Sequence, residues 1–311
     1  MAGARHTGME KEDLDLIPDG SRSRSFKVTF DYYTPRAHFV LSELHRGGAR
    51  IGQDYGRISL RIKREIIRLA NVMISEYDLP QGGVFSIHCG SWTTNDHTFH
   101  AFICVDVDDY IRLFYRRENE IPNWPSRSFV TREWKASRNP SEYVKNVRGY
   151  PYKEYFKAEC QGIRRFIEKE QRREDEGKAK HRRVCPTIDE NYGNFEGFLV
   201  VYHPSEPRVG FVLNTREHVN QDDHLRALDA MYKFAEASKL TNLKTKGEDK
   251  GCHICLVLDQ QTQGFPLNSA QRLLGFIQVS GTKFYKDFCP EDAKESWFLD
   301  FGSREDYKVY T

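Results

Sequence analysis

No stretch of this chain approaches 18 consecutive apolar residues, so no membrane-spanning helix is expected. The first 25 residues have no apolar central region, which argues against a secretory signal. Charge of one sign is scarce as well. A formal net charge of +2 gives no strong sequence-independent attraction to nucleic acid. The 7 cysteines, an odd number spread along 311 residues, point to reduced thiols rather than a disulfide framework. The expected location is cytoplasmic or nuclear.

Several motifs that carry chemistry are also missing. Gly47-Gly48 leads into neither a Walker A sequence nor a dinucleotide fingerprint, and reads as a turn. There is no Gly-x-Ser-x-Gly elbow and no His-Glu-x-x-His helix. Cys252 and Cys255 form a CxxC, but within an expected strand, where residues three apart face opposite sides. Their thiolates would converge on zinc only through a bend, and no helix start lies there to activate a thiol. No cofactor and no metal is expected.

What is present is a polar but foldable composition, with 39% hydrophobic, 30% charged and 13% aromatic residues. That aromatic content argues against global disorder, and the length suits two ordinary domains or one large one. Residues 1–25 read as a disordered tail, rich in charge, Ser and Gly. Residues 26–155 form the first domain, with strands at 26–30, 38–41 and 84–89. Its long helix, from about Ile58 to Tyr77, carries Ile62, Ile66, Leu69 and Met73 on one face. Arg61, Lys63, Arg64 and Arg68 fall elsewhere around it, a pattern that suits a solvated surface. A polar turn from Gly90 to Asp96, which includes Asn95, leads to the strand of His100. The two strands flanking that turn should pair antiparallel and make His88 and His100 neighbours.

Residues 156–190 read as a charged helical linker, helical to about residue 183. Its basic segment, 164–183, is a candidate contact for RNA or a protein partner. Residues 191–311 form the second domain, with strands at 197–202 and 209–213. A helix from about 222 to 240 follows, with Asp222 as its N-cap. Further strands are expected around His253, at 273–279 and at 297–301.

The two domains share an order of features. Phe39-Val40-Leu41 leads to His45, as Phe211-Val212-Leu213 leads to His218. An amphipathic helix follows each, and then a strand bearing His100 or His253. This repeated order points to a diverged duplication, or to similar pieces of α+β structure met twice.

With these residues in place, the chain resembles the histidine-triad superfamily. Members have a strand and a histidine-bearing loop, a long helix, and a strand that opens on His-x-His-x-His. The resemblance implies an α+β fold of antiparallel sheets with packed helices, duplicated along one chain. It also implies a nucleotide or nucleotide conjugate as ligand, with phosphohydrolase or nucleotidyl-transfer chemistry through His100. His88 or His97 would then donate a proton or orient the nucleophile. Phe39 and Leu41 would wall the base, with His45, Asn95 and His253 among the binding residues. Residues two apart on a strand share a face, so alternate imidazoles can line one phosphate. In this chain each strand keeps one histidine. Thr98 and Phe102 flank His100, and Gly251 and Cys255 flank His253. Three readings of His100 follow: a nucleophile, a phosphate ligand without turnover, or a hydrogen-bonded relic on a non-catalytic scaffold.

Overall fold

Short runs of alternating β-branched and aromatic residues become strands along most of this chain, and every ladder between them is antiparallel. A computed structural model describes residues 23, 25–30, 38–44, 54–75, 83–93, 99–105, 109, 152–177, 193–215, 217–242, 244, 250–258 and 264–302. The strands are β1 (Phe26–Phe30), β2 (His38–Glu43), β3 (Gly83–Gly90), β4 (His100–Val105), β5 (Asn194–Phe195), β6 (Phe198–Tyr202), β7 (Arg208–Asn214), β8 (Gly251–Val257) and β9 (Gln271–Gln278). The helices among the described residues are α1 (Leu60–Ser75), α2 (Tyr152–Asp175), α3 (Gln221–Ala237), α4 (Gly281–Asp287) and α5 (Lys294–Gly302). None of these helices is long and apolar enough to cross a membrane.

The nine strands among the described residues join one sheet in the order β1-β2-β4-β3-β8-β9-β7-β6-β5. The first four come from the N-terminal half and the last five from the C-terminal half. Strands β3 and β8 form the seam, with Val84 opposite Val257 and Gly90 opposite Gly251. In the first half the chain runs strand, strand, helix, strand, strand; the second half repeats this order from β6 to β9 after the two-residue β5, and in each the last strand inserts beside the strand that precedes the helix.

Strand alternation sorts the side chains onto two faces. Phe39, Leu41, Phe85, Ile87, Cys89, Ala101 and Ile103 face a core that also holds Ile66, Leu69 and Met73 of α1. Leu228, Met231 and Phe234 of α3 complete the same core from the second half. The opposite face carries Val84, Cys255, Val257 and Phe276, with Phe265 packed over them. Cys252 and Cys255 accordingly lie in separate clusters on the two faces. In β9 an extra residue, Leu274, interrupts the pairing with β7, and alternation resumes shifted by one.

Of the cationic residues of α1, Arg61 and Arg64 are exposed, whereas Lys63 and Arg68 are half-buried and paired. Arg68 pairs with Glu65 at 2.9 Å, and Lys63 reaches Asp229 of α3 at 2.7 Å. Tyr232 of α3 donates to Asp54, ahead of α1, at 2.7 Å, so polar contacts as well as the sheet join the halves. Tyr232→Phe leaves the Asp54 carboxylate without this donor. It should lower stability by about 1–2 kcal/mol in urea unfolding, without a change in slope.

Three local expectations are corrected. Residues 297–301 are helical in α5 and not a strand. Trp297 and Phe301 stack at 4.8 Å, one turn apart, and both are buried. A short apolar run does not distinguish the two periods. The N-cap of α3 is Asn220 rather than Asp222; it accepts from the backbone of Asp222 and Asp223, and Asp223 closes the capping box. The charged helix begins earlier, at Tyr152, and ends at Asp175. It is also anchored: Ile163 is buried, and Glu159 accepts from the backbone of Thr282 at 3.0 Å. Residues 178–183 of the basic segment lie outside the described residues.

Candidate functional site

The sheet face away from α1 and α3 carries a row of polar side chains drawn from six strands. Ser42 on β2 is opposite His100 on β4. Ser86 on β3 is opposite Phe102 on β4, and the same register carried two residues further aligns His88 with His100. His88 is opposite His253 across the seam, His253 is opposite Gln278 on β9, and Gln278 is opposite Arg208 on β7.

The ladder explains how tightly the central pair meets. Leu258 donates to Gly83 and Ser91 to Lys250, which makes the odd-numbered residues of β3 the hydrogen-bonded positions. His88 falls between them, at a site where opposed side chains stand closer. Its ring stacks on that of His253 with centroids 4.4 Å apart and planes 23° apart. Phe102 stacks on the other face of His88 at 4.9 Å. His100 meets His88 edge-on at 6.2 Å and Phe102 edge-on at 5.8 Å. Trp92 closes the far side, edge-on to His253 at 4.7 Å.

Burial is uneven along the row. His88 and His253 are 3% and 1% exposed, whereas His100 and Trp92 are half-buried. His100 is the ring of the three that is open to a solute. Behind the row, on the helix side, Cys89 and Cys252 are also opposed. Burial pushes the Cys252 thiol well up, and a hydrogen bond with Cys89 adds to this, which keeps it unreactive.

The sequence-derived residues separate into three groups. His88, His100 and His253 come together. Phe39 and Leu41 sit in the core beneath the helices, on the face away from His100, while Val40 clusters with Phe102 on the histidine face. His45, Asn95 and His97 lie outside the described residues. His253 holds a different place from the one its likeness to the His100 strand implies. Its strand, β8, occupies the position in the second half that β3 occupies in the first, and the place of β4 belongs to β9. Trp92, Gln278 and Arg208 join the row without having been singled out in the sequence. Alternation within β9 was the available signal for Gln278, but the partner strands of the row are set by long-range pairing.

Among the described residues no group of three His, Cys, Asp or Glu side chains is placed to hold a metal ion. Chemically, the row offers ring N–H donors and one accessible imidazole beside aromatic surface. No protein-family model, curated protein or solved structure matches the chain.

Proposed function

We propose that the chain is a divergent histidine-triad-like protein of two ββαββ units, and that His100 binds the phosphate of a nucleotide or nucleotide conjugate. The observation that carries this reading is the meeting of three imidazoles on the sheet face away from α1 and α3, of which His100 alone is accessible. An imidazole N–H, charged when protonated, is a strong donor to a phosphate oxygen. The repeated strand order on the two sides of the seam supports the duplication.

Turnover is a further step beyond binding. Phosphohydrolase or nucleotidyl-transfer chemistry would use His100 as the nucleophile, with His88 to orient it. A second reading, a non-catalytic scaffold with RNA or protein partners along 164–183, has its own observation. Phe102 stands where the resemblance to the histidine-triad pattern implies another histidine, and it packs on His88 as part of a stacked core. In that segment Arg173 pairs with Glu170 at 3.0 Å, and acids alternate with the bases.

Calorimetric titration with AMP, GMP and inorganic phosphate, together with a labelled adenosine phosphoramidate turnover assay, separates these. Binding that weakens at least about tenfold in His100→Ala supports the phosphate site, a change worth about 1.4 kcal/mol. Turnover lost in the same variant adds catalysis. Absence of all mononucleotide binding in the unsubstituted protein overturns the proposal in favour of the scaffold.

A further inference from the structure

The polar row continues one strand beyond Ser42. Lys27 on β1 is opposite Ser42, which is opposite His100, so an ammonium, a hydroxyl and an imidazole follow one another across three strands. Phe26 and Val28, the neighbours of Lys27 along β1, belong to the core beneath the helices, and alternation therefore turns Lys27 to the histidine face. We propose that Lys27, Ser42 and His100 together cradle one phosphate, and that the ligand is a phosphomonoester whose terminal phosphate carries two negative charges. The inference rests on the phosphate reading of His100 and narrows its ligand class.

The ladder sets the dimensions. Leu44 donates to Ser25 and Glu43 to Phe99, which makes Lys27 and Ser42 a hydrogen-bonded pair and Ser42 and His100 a non-hydrogen-bonded one. Opposed Cα atoms are about 5.5 Å apart in the first kind and about 4.5 Å in the second, so those of Lys27 and His100 stand about 10 Å apart. Serine, the shortest of the three side chains, lies between the two long ones and leaves a notch over its hydroxyl. A tetrahedral phosphate that accepts bonds of about 2.8 Å from both sides matches a gap of this size, with the Ser42 hydroxyl as its floor.

The polar groups are disposed to suit an anion. Lys27 is half-buried and Ser42 is 7% exposed, and among the described residues neither side chain has a hydrogen-bond or ion-pair partner. The Ser42 hydroxyl keeps contact with solvent, whereas both ring nitrogens of His88 are sealed from it. The one acid within β1, β2 and β4 is Glu43, which is turned to the helix side and accepts from the backbone of Phe99 at 3.4 Å. Arg208, the cation at the far end of the row, is by contrast enclosed and paired with Glu206. Among the described residues β1 is an edge of the sheet, and an edge lysine also discourages strand addition. That role needs neither the serine nor the histidine beside it. An ammonium next to an imidazole favours a phosphate with two negative charges over the single charge of a diester.

The test is calorimetric titration of the full chain at about pH 8, where the phosphate of AMP is doubly charged because its second ionisation lies near pH 6. The comparison ligand is adenosine 5′-methylphosphate, the same nucleotide with one phosphate oxygen capped and a single charge left. The unsubstituted protein should bind AMP about ten- to a hundredfold more tightly than the methyl ester. Lys27→Met should weaken AMP by about that factor and the ester far less, so that the two converge, whereas Lys27→Arg should keep most of the preference. Ser42→Ala should weaken both ligands about three- to tenfold, and Ser42→Val, which fills the notch, should abolish both. Circular dichroism establishes that each variant is folded; if Lys27→Met is not, the two Ser42 variants decide. Equal binding of AMP and its methyl ester by the unsubstituted protein overturns the cradle, as does an AMP affinity unchanged in Lys27→Met or in Ser42→Val. The phosphate reading survives either result if His100→Ala still weakens AMP. Absence of AMP binding in the unsubstituted protein removes both.

Discussion

Glu206→Ala should lower the stability of this protein by about 3–5 kcal/mol, a large fraction of the total for an ordinary domain. Glu206 and Arg208 form a direct ion pair, with their side chains only 11% and 3% exposed. The Arg208 guanidinium lies over the Phe276 ring at 4.9 Å, and the Arg208 backbone donates to Glu206 at 2.7 Å. Removing the carboxylate leaves a cation that cannot be deprotonated inside a sheet face covered by aromatic rings. Chemical denaturation measures the loss directly. Replacing both partners with apolar residues of similar volume should recover most of it, because the cost arises from the uncompensated charge and not from the absence of a salt bridge. A control is available at the surface. Lys233 pairs with Glu196 at 3.0 Å with both side chains about half exposed, and Lys233→Ala should cost under about 1 kcal/mol. Equal losses at the two sites would refute this account of Arg208.

The second large effect is a loss of stability on mild acidification that traces to His224. Burial holds this imidazole down to about 4, against a smaller opposing pull from Asp223. Above roughly pH 6.5 the ring is neutral in both folded and unfolded chains, and no difference arises. As the pH falls below that value the unfolded chain takes up a proton that the folded protein refuses until about pH 4. Stability therefore drops across this window, by roughly 3 kcal/mol in all if the ring acts alone. His224→Gln removes the titrating group. The difference between the two proteins in urea unfolding should thus shrink or reverse steadily from pH 7 to pH 4.5, while the carboxylates common to both cancel. An unchanged acid slope in the variant would exclude His224 as its source.

Periodicity disclosed most of this architecture, and its failures were local. The spacing of Ile62, Ile66, Leu69 and Met73 placed α1, and the polar turn between two strands placed β3 and β4 as neighbours with His88 beside His100. Alternation also separated Cys252 from Cys255. It could not decide α5, where a compact apolar run satisfies either period. The polar row was legible only in fragments. Nothing near His88 in the sequence announces that its ring will stack on His253, since that contact is created by pairing β3 with a strand from the other end of the chain. Likeness of local sequence was misleading at this point, because it matched the strand of His253 to that of His100 although β8 takes the place of β3. Arg208 and Glu206 gave no pattern at all; burial alone makes them consequential.

The seam between β3 and β8 has a bearing on how the protein is made. All of β3 is buried, yet the partner that covers one of its edges is not synthesised until residues 251–257. During elongation the N-terminal strands can assemble as β1-β2-β4-β3, but β3 then presents an open edge to its surroundings for well over a hundred residues of translation. Ribosome-bound chains stalled before residue 251 should accordingly recruit chaperones or self-associate. Chains stalled far enough past residue 278 for β8 and β9 to clear the exit tunnel should not.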